Sequence, residues 1–194
     1  NSIDSISFLN GVRLNIAIKH SNEAFLKLKI KIKEKIVADG LNLNDYDLDV
    51  HGKHVNAAEF NELLEDKNTI TIDMRNHYES EVGHFKGANL PNVDTFRESL
   101  PLIKNKYESY KKNRKILMYC TGGIRCEKAS AYLLNNGFKN VYQLNGGIIE
   151  YARQVKENKI ENKFIGKNFV FDNRLGERIS NDIISNCHQC GEKC

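Results

Sequence analysis

Cys120 closes an apolar run, KILMYC, and is followed by Thr121, Gly122, Gly123, Ile124, Arg125 and Cys126. This order of residue types suits an acidified thiol. Two glycines permit a loop whose backbone N–H groups turn inward. A helix starting near Cys126 would add the partial positive charge of its N-terminus. Arg125 would add a full charge. Each of these favours thiolate over thiol, which makes Cys120 the candidate nucleophile. A cysteine at a strand end, taken alone, reads as buried packing; the strand–Cys–Gly–Gly–Arg–helix setting argues for chemistry instead. Cys126 reads equally as a resolving thiol or as a half-buried neighbour. Arg125 reads as a loop cation or as a solvated surface arginine.

Two further groups could do chemistry. Cys187, Cys190 and Cys194 form C-x2-C-x3-C. A C-x2-C pair is a natural half of a zinc site, because two thiolates on one turn reach one ion. The other half is missing, His188 is poorly placed to supply it, and oxidised or unliganded thiols are the competing state. Lys27, Lys29, Lys31 and Lys33 alternate with Leu28, Ile30 and Ile32. On a strand, alternate residues share a face about 6.6–6.8 Å apart. The lysines would then form a charged row able to track a phosphate backbone, or a solvated face guarding a sheet edge. No His/carboxylate iron triad and no dinucleotide fingerprint is evident, so no cofactor is evident from spacing.

The elements that must position these groups follow from periodicity. Val12–Lys19 and Lys27–Lys33 have strand character, and Asp39–Asp49 is polar and turn-rich, as a linker would be. From Val55 onward, helical and strand patterns alternate. NAAEFNELLED reads as a helix, TITID (Thr69–Asp73) as a strand, and VDTFRESLPLIKNKYESYKKN as helical material interrupted by Pro101. KILMYC is a second strand, EKASAYLLNNG (Glu127–Gly137) a helix stopped by its glycine, NVYQLNGG a third strand, and IIEYARQV a helix. Such alternation predicts an α/β fold, a parallel sheet with helices on both faces. In open parallel sheets, ligands sit beyond the carboxyl ends of the strands, where Cys120 falls.

Composition sets the frame. The formal balance is +4, from 29 basic and 25 acidic side chains in 194 residues. That permits an acidic partner such as RNA without requiring one. No apolar run approaches the roughly 20 residues that span a bilayer, and no leader-like pattern opens the chain. A soluble, cytoplasmic protein without a membrane partner is the expectation. Five cysteines, three of them in the last eight residues, do not suit an even disulfide framework and fit a reducing compartment. The ends, Asn1 and Cys194, look like those of a fragment.

The residues then carry a resemblance. Asp73-Met74-Arg75, Tyr78-Glu79, Gly83-His84-Phe85-Lys86-Gly87-Ala88, the Cys120 loop and Gly146-Gly147-Ile148 together resemble a rhodanese domain over residues 51–155. The resemblance implies that Asp73 and Arg75 end a strand and brace the active-site region. It implies that His84 to Ala88 form a signature turn, with His84 a packed histidine rather than a base. Phosphatase relatives of this family carry a longer loop with arginine six positions after the cysteine. Here Arg125 is five positions on and Cys126 is sixth, which argues against phosphatase activity.

CTGGIRCEKASAYLL, QLNGGIIEYARQV, NKFIGKNFVFDNR, CHQCGEKC and KLKIKIKEKIVADGL are similar to one subfamily, the rhodanese-domain tRNA uridine(34) hydroxylases. The organisation this implies is the end of a ferredoxin-like α+β domain (1–38), a linker (39–50), a rhodanese domain (51–155) and an extension with a shortened cysteine cluster (156–194). The activity it implies is oxygen-dependent 5-hydroxylation of the wobble uridine of tRNA, an oxidoreductase reaction with molecular oxygen as co-substrate and Cys120 essential. Two other functions use the same residues. One is sulfur transfer through a Cys120 persulfide formed from thiosulfate or a similar donor. The other is a non-catalytic module that recruits a partner.

Overall fold

The computed structural model describes residues 5–7, 10, 31–33, 35, 37–41, 47, 49–187 and 189–193. Among them the elements run β1 (Lys53–Val55), α1 (Ala57–Glu65), β2 (Thr69–Asp73), α2 (His77–Glu81), β3 (Gly83–Phe85), α3 (Phe96–Tyr107), β4 (Lys115–Tyr119), α4 (Ile124–Asn135), β5 (Asn140–Leu144), α5 (Gly147–Asn158), β6 (Phe164–Phe169) and β7 (Gly176–Arg178). One sheet has the order β1-β5-β4-β2 and is parallel throughout. Met118 lies level with Ile72 on one side and Gln143 on the other. The expected parallel α/β sheet is therefore present.

Its two faces bury two cores. Ile70, Ile72, Ile116, Met118, Cys120 and Val141 pack under α3 and α4. Val55, Leu117, Tyr119 and Leu144 pack under α1 and α5. The second core is aromatic. Phe85 meets Phe60, Tyr119 and Tyr151 at centroid distances of 4.6, 4.7 and 4.7 Å, tilted in the first pair and edge-to-face in the other two, contacts that add to plain burial. The periodicity that predicted the elements is the same apolar pattern that fills these layers. At the start of α1, Asn56 Oδ1 accepts from Glu59 N–H, and Glu59 Oε2 accepts from Asn56 N–H, a reciprocal cap that fixes where the helix begins.

Several expectations are corrected. Pro101 does not interrupt its helix but sits inside α3. Proline removes one helical hydrogen bond, yet Phe96, Leu100, Ile103 and Tyr107 still lie on one buried face, and that burial carries the helix through. α4 begins at Ile124 rather than near Cys126, because Gly123 takes the N-cap position at φ 94°. Lys31–Lys33 lie outside every described strand, and Ile32 is fully exposed. An alternating pattern buries its apolar face only where a neighbouring strand and a packing layer cover it, and no described strand pairs there. Lys27, Lys29 and Val12–Lys19 lie outside the described residues, as does most of the segment assigned to a ferredoxin-like domain.

The polar stretch read as a linker is anchored at one point. Asp39 is buried and accepts from Lys128 Nζ at 2.6 Å and Lys35 Nζ at 3.1 Å. Beyond α5 the chain returns to the domain. β6 pairs antiparallel with β3, and β7 with β6. Phe164 of β6 packs on Phe85 at 5.2 Å. No helix among the described residues is long and apolar enough to cross a membrane.

Candidate active site

Three strand ends converge below Cys120. Met74 N–H, just beyond β2, donates to Tyr119 O at 2.8 Å. Ile148 N–H and Ile149 N–H, at the start of α5, donate to Cys120 O and Thr121 O at 3.0 and 3.2 Å. The first turn of α5 thus satisfies the carbonyls of the loop that follows β4, using donors that a helix start leaves free. Gly147 makes this approach feasible. A Cβ there would lie 2.5 Å from Cys120 O and 2.6 Å from Thr121 O, and its φ is 64°. This contact accounts for Gly147, and Gly146 takes the left-handed N-cap of α5 at φ 75°.

Below the loop, Asp73 and Arg75 form a buried fork. Arg75 Nε and Nη2 reach Asp73 at 2.9 and 2.6 Å, and Nη2 also donates to Gly83 O at 2.6 Å. The guanidinium lies over Tyr119 and Phe164, 5.8 and 5.9 Å from the ring centroids. The pair ties β2 to β3 and to the residue before Cys120, the bracing role that the resemblance implied. His84 Nδ1 is bonded to Ser80 O at 2.8 Å, a structural contact within the α2–β3 turn.

Cys120 is 1% exposed. Its thiol is held down to about 6, first by a hydrogen bond from the Cys126 thiol, against the opposing cost of burial, then by the charge of Arg125 and the N–H groups of Cys126 and Gly123. Gly123 N–H reaches Sγ at 3.1 Å. At neutral pH the sulfur is a thiolate in a nest of donors. The early start of α4 places Arg125 and Cys126 in its first turn, so their backbone N–H groups are free to contribute. Cys126 is fully buried, and burial, followed by its bond to Cys120, pushes its own thiol well up. The two thiols form one donor–acceptor pair.

Arg125 is neither solvated nor aimed solely at the sulfur. Its two Nη atoms donate to the two oxygens of Glu79 at 2.6 and 2.8 Å, and Nη2 lies 3.4 Å from Thr121 Oγ1. Burial opposes the cation, but the hydrogen bonds it donates to Glu79, together with the negative charges of Cys120, Glu79 and Asp73, outweigh that cost and hold the guanidinium charged. Glu79 is itself fully buried and accepts from Asn76 N–H at 3.1 Å. The helix α2 therefore fixes the loop cation, a role that spacing alone did not reveal.

A pocket of about 400 Å³ opens above the sulfur, lined by Val37, Ala38, Cys120, Thr121, Gly122, Ile124, Arg125 and Phe171. All loop residues singled out from the sequence, Thr121 to Cys126, border the thiolate or this pocket. Phe171, 66% exposed, stands at the rim and packs edge-on against Phe169 at 5.2 Å. Sequence reading missed it, for it lies 51 positions from the cysteine in a segment read only as an apolar run.

The remaining candidates lie elsewhere. Lys31 and Lys33 are exposed. Cys187 and Cys190 are free thiols in a tight turn closed by Gly191 N–H to Cys187 O at 2.8 Å and Cys187 N–H to Glu192 O at 2.7 Å. N–H groups of Cys190 and Gln189 lower the Cys187 thiol, the environment that metal-binding thiolates use. Cys194 and His188 fall outside the described residues. The structure also gathers two imidazoles and a carboxylate, His51, His54 and Glu127, which linear spacing had hidden.

Two family models match the chain. The Rhodanese-like domain covers residues 56–154, and the Rhodanase C-terminal model covers 165–194. A protein of Leptospira interrogans named tRNA uridine(34) hydroxylase is 55% identical over 193 residues, all of this chain and 52% of its own length. A Yersinia pestis protein of the same name is 54% identical over 96% of this chain and 52% of its own length. The chain thus spans about half the length of the curated relatives it matches. A solved Rhodanese-like domain protein from Staphylococcus aureus is 28% identical, with a TM-score of 0.41 over 51% of this chain and 90% of its own.

Proposed function

Because this chain belongs to the rhodanese-like domain family, we propose that it forms the catalytic part of a tRNA uridine(34) hydroxylase, with Cys120 as its essential residue. The observation that carries this reading is the likeness of essentially the whole chain to proteins of that name, at 55% identity. The site is compatible with it. The thiolate lies at the floor of a pocket whose rim carries an exposed aromatic ring, Phe171. Bases that undergo chemistry are taken out of their stack and held between apolar or aromatic side chains. A uracil seated against Phe171 and Ile124 would bring its ring toward Cys120, with Arg125 and Thr121 at its polar edge.

In this reading the substrate is tRNA and molecular oxygen is the co-substrate. The protein residues hold the sulfur charged, exclude water from it and orient the base. The lysines at 27, 29, 31 and 33 follow the phosphate backbone without reading sequence. The Cys187–Cys190 turn serves as half of a zinc site completed by further ligands of the full-length protein. The direct test is nucleoside analysis of tRNA from a strain lacking the full-length gene. Loss of 5-hydroxyuridine and its derivatives supports the reading; an unchanged nucleoside profile overturns it.

A further inference from the structure

A second cluster of ligand-type side chains joins the β1 edge of the sheet to the first turns of α4. His51 and His54 are three residues apart in the HGKH stretch, and β1 carries His54 at the sheet edge, level with Gln143 of β5. Gly52 lets this stretch close onto α4. A Cβ there would lie 2.9 Å from Ser130 Cβ and 3.0 Å from Val141 O, and Gly52 N–H donates to Ser130 Oγ at 2.9 Å. Glu127, in the first turns of α4, meets His54 Nε2 with Oε1 at 2.6 Å. The two imidazole rings are 5.0 Å apart between centroids. One ring nitrogen from each histidine and one oxygen of Glu127 lie within 4.8 Å of one another.

We propose that His51, His54 and Glu127 bind one divalent first-row transition metal, of the zinc(II) or iron(II) kind. The donor set decides the class. Two imidazoles and one carboxylate suit such ions, whereas magnesium and calcium prefer oxygen alone. Bonds of about 2.0–2.2 Å to one tetrahedral ion set donor atoms about 3.4 Å apart, so the His54–Glu127 contact of 2.6 Å would open to admit the ion, and His51, exposed and outside β1, is able to turn toward it. An outer layer that orients the carboxylate is already built. Gln143 Nε2 donates to Glu127 Oε2 at 2.9 Å and to Gly52 O at 3.0 Å. Ligating carboxylates are held by outer hydrogen bonds of this sort. His54 and Glu127 keep about a third of their side-chain surface exposed, 34% and 32%. Three protein ligands on a half-open face leave positions for water or a small ligand, unlike a closed structural site. None of these residues lines the pocket above Cys120, so the site does not depend on the proposed reaction.

The test is cobalt(II) binding to the reduced full-length protein, followed by equilibrium dialysis and visible absorption. The wild type should bind two cobalt equivalents, one showing sulfur-to-metal charge transfer from the Cys187–Cys190 turn and one lacking it, and Cys187→Ser/Cys190→Ser should retain only the equivalent that lacks it. His54→Ala should lose it. His51→Ala, which removes an exposed side chain outside any strand, should weaken it by tenfold or more while the unfolding midpoint stays at the wild-type value. An unchanged cobalt affinity in His51→Ala, or a nitrogen/oxygen-type equivalent that persists in folded His54→Ala, overturns the proposal.

Discussion

Arg125 spends both ends of its guanidinium on Glu79, at 2.6 and 2.8 Å, while its charge also acts on the Cys120 sulfur. The carboxylate positions the cation and at the same time tempers it. Glu79→Gln should therefore have two opposite consequences. Breaking one partner out of a buried ion pair costs roughly 3–5 kcal/mol, which urea unfolding would register. The freed charge should also lower the pH at which Cys120 becomes reactive. An alkylation midpoint that rises in folded Glu79→Gln would contradict this division of roles.

The pH dependence of Cys120 itself follows from its depressed value. The charged form is the nucleophile, so alkylation by iodoacetamide should accelerate as pH rises through about 6 and level off near neutrality. A free thiol would continue to gain up to about 8.5. A midpoint at or above that value removes the basis for a donor-lined cradle.

The Cys126 thiol donates the hydrogen bond that does most to stabilise the thiolate, so its replacement should separate donor from sulfur. Serine retains an O–H donor and should leave the Cys120 midpoint low. Alanine removes it, and the loss of a hydrogen bond to a charged group, about 1.5–3 kcal/mol, should raise the midpoint by about one to two pH units. Equal midpoints in the two variants would show that the backbone donors and Arg125 suffice.

The contacts proposed for RNA should divide by type. Glutamine at Lys27, Lys29, Lys31 and Lys33 together should weaken binding to every tRNA alike and flatten its dependence on salt. Phe171→Ala should instead leave the salt slope and the Cys120 midpoint in place and lower hydroxylation, because stacking of a base is worth about 1–3 kcal/mol. A Phe171→Ala enzyme with full activity would remove the ring from the substrate site.

What the sequence disclosed and what it withheld divide along chain separation. β2 matches the TITID run residue for residue, since four β-branched residues in succession on a buried strand leave no competing period. The donor-lined setting of Cys120 was legible because its whole cradle, Cys120 to Cys126, is local. Glu79 as partner of Arg125, Phe171 at the rim, and Asp39 on Lys128 were not, for each contact joins segments more than 40 positions apart. The His54–Glu127 contact spans 73 positions, so the spacing that would advertise a metal site never occurs in one stretch. The start of α4 was misplaced by the reading of Gly122 and Gly123 as loop alone. In fact Gly123 takes the left-handed cap from which the helix departs, and that single turn brings the Cys126 donor onto the sulfur.

The most direct test of the central claim is the 5-hydroxyuridine content of tRNA in a deletion strain carrying the full-length gene with Cys120→Ser. Serine keeps the size and leaves the fold intact, but its hydroxyl stays protonated at neutral pH, so no thiolate faces the pocket. With the variant present at the wild-type level, the account predicts no 5-hydroxyuridine at position 34, while the wild-type gene restores it. Restoration of the modified nucleoside by Cys120→Ser would contradict the account.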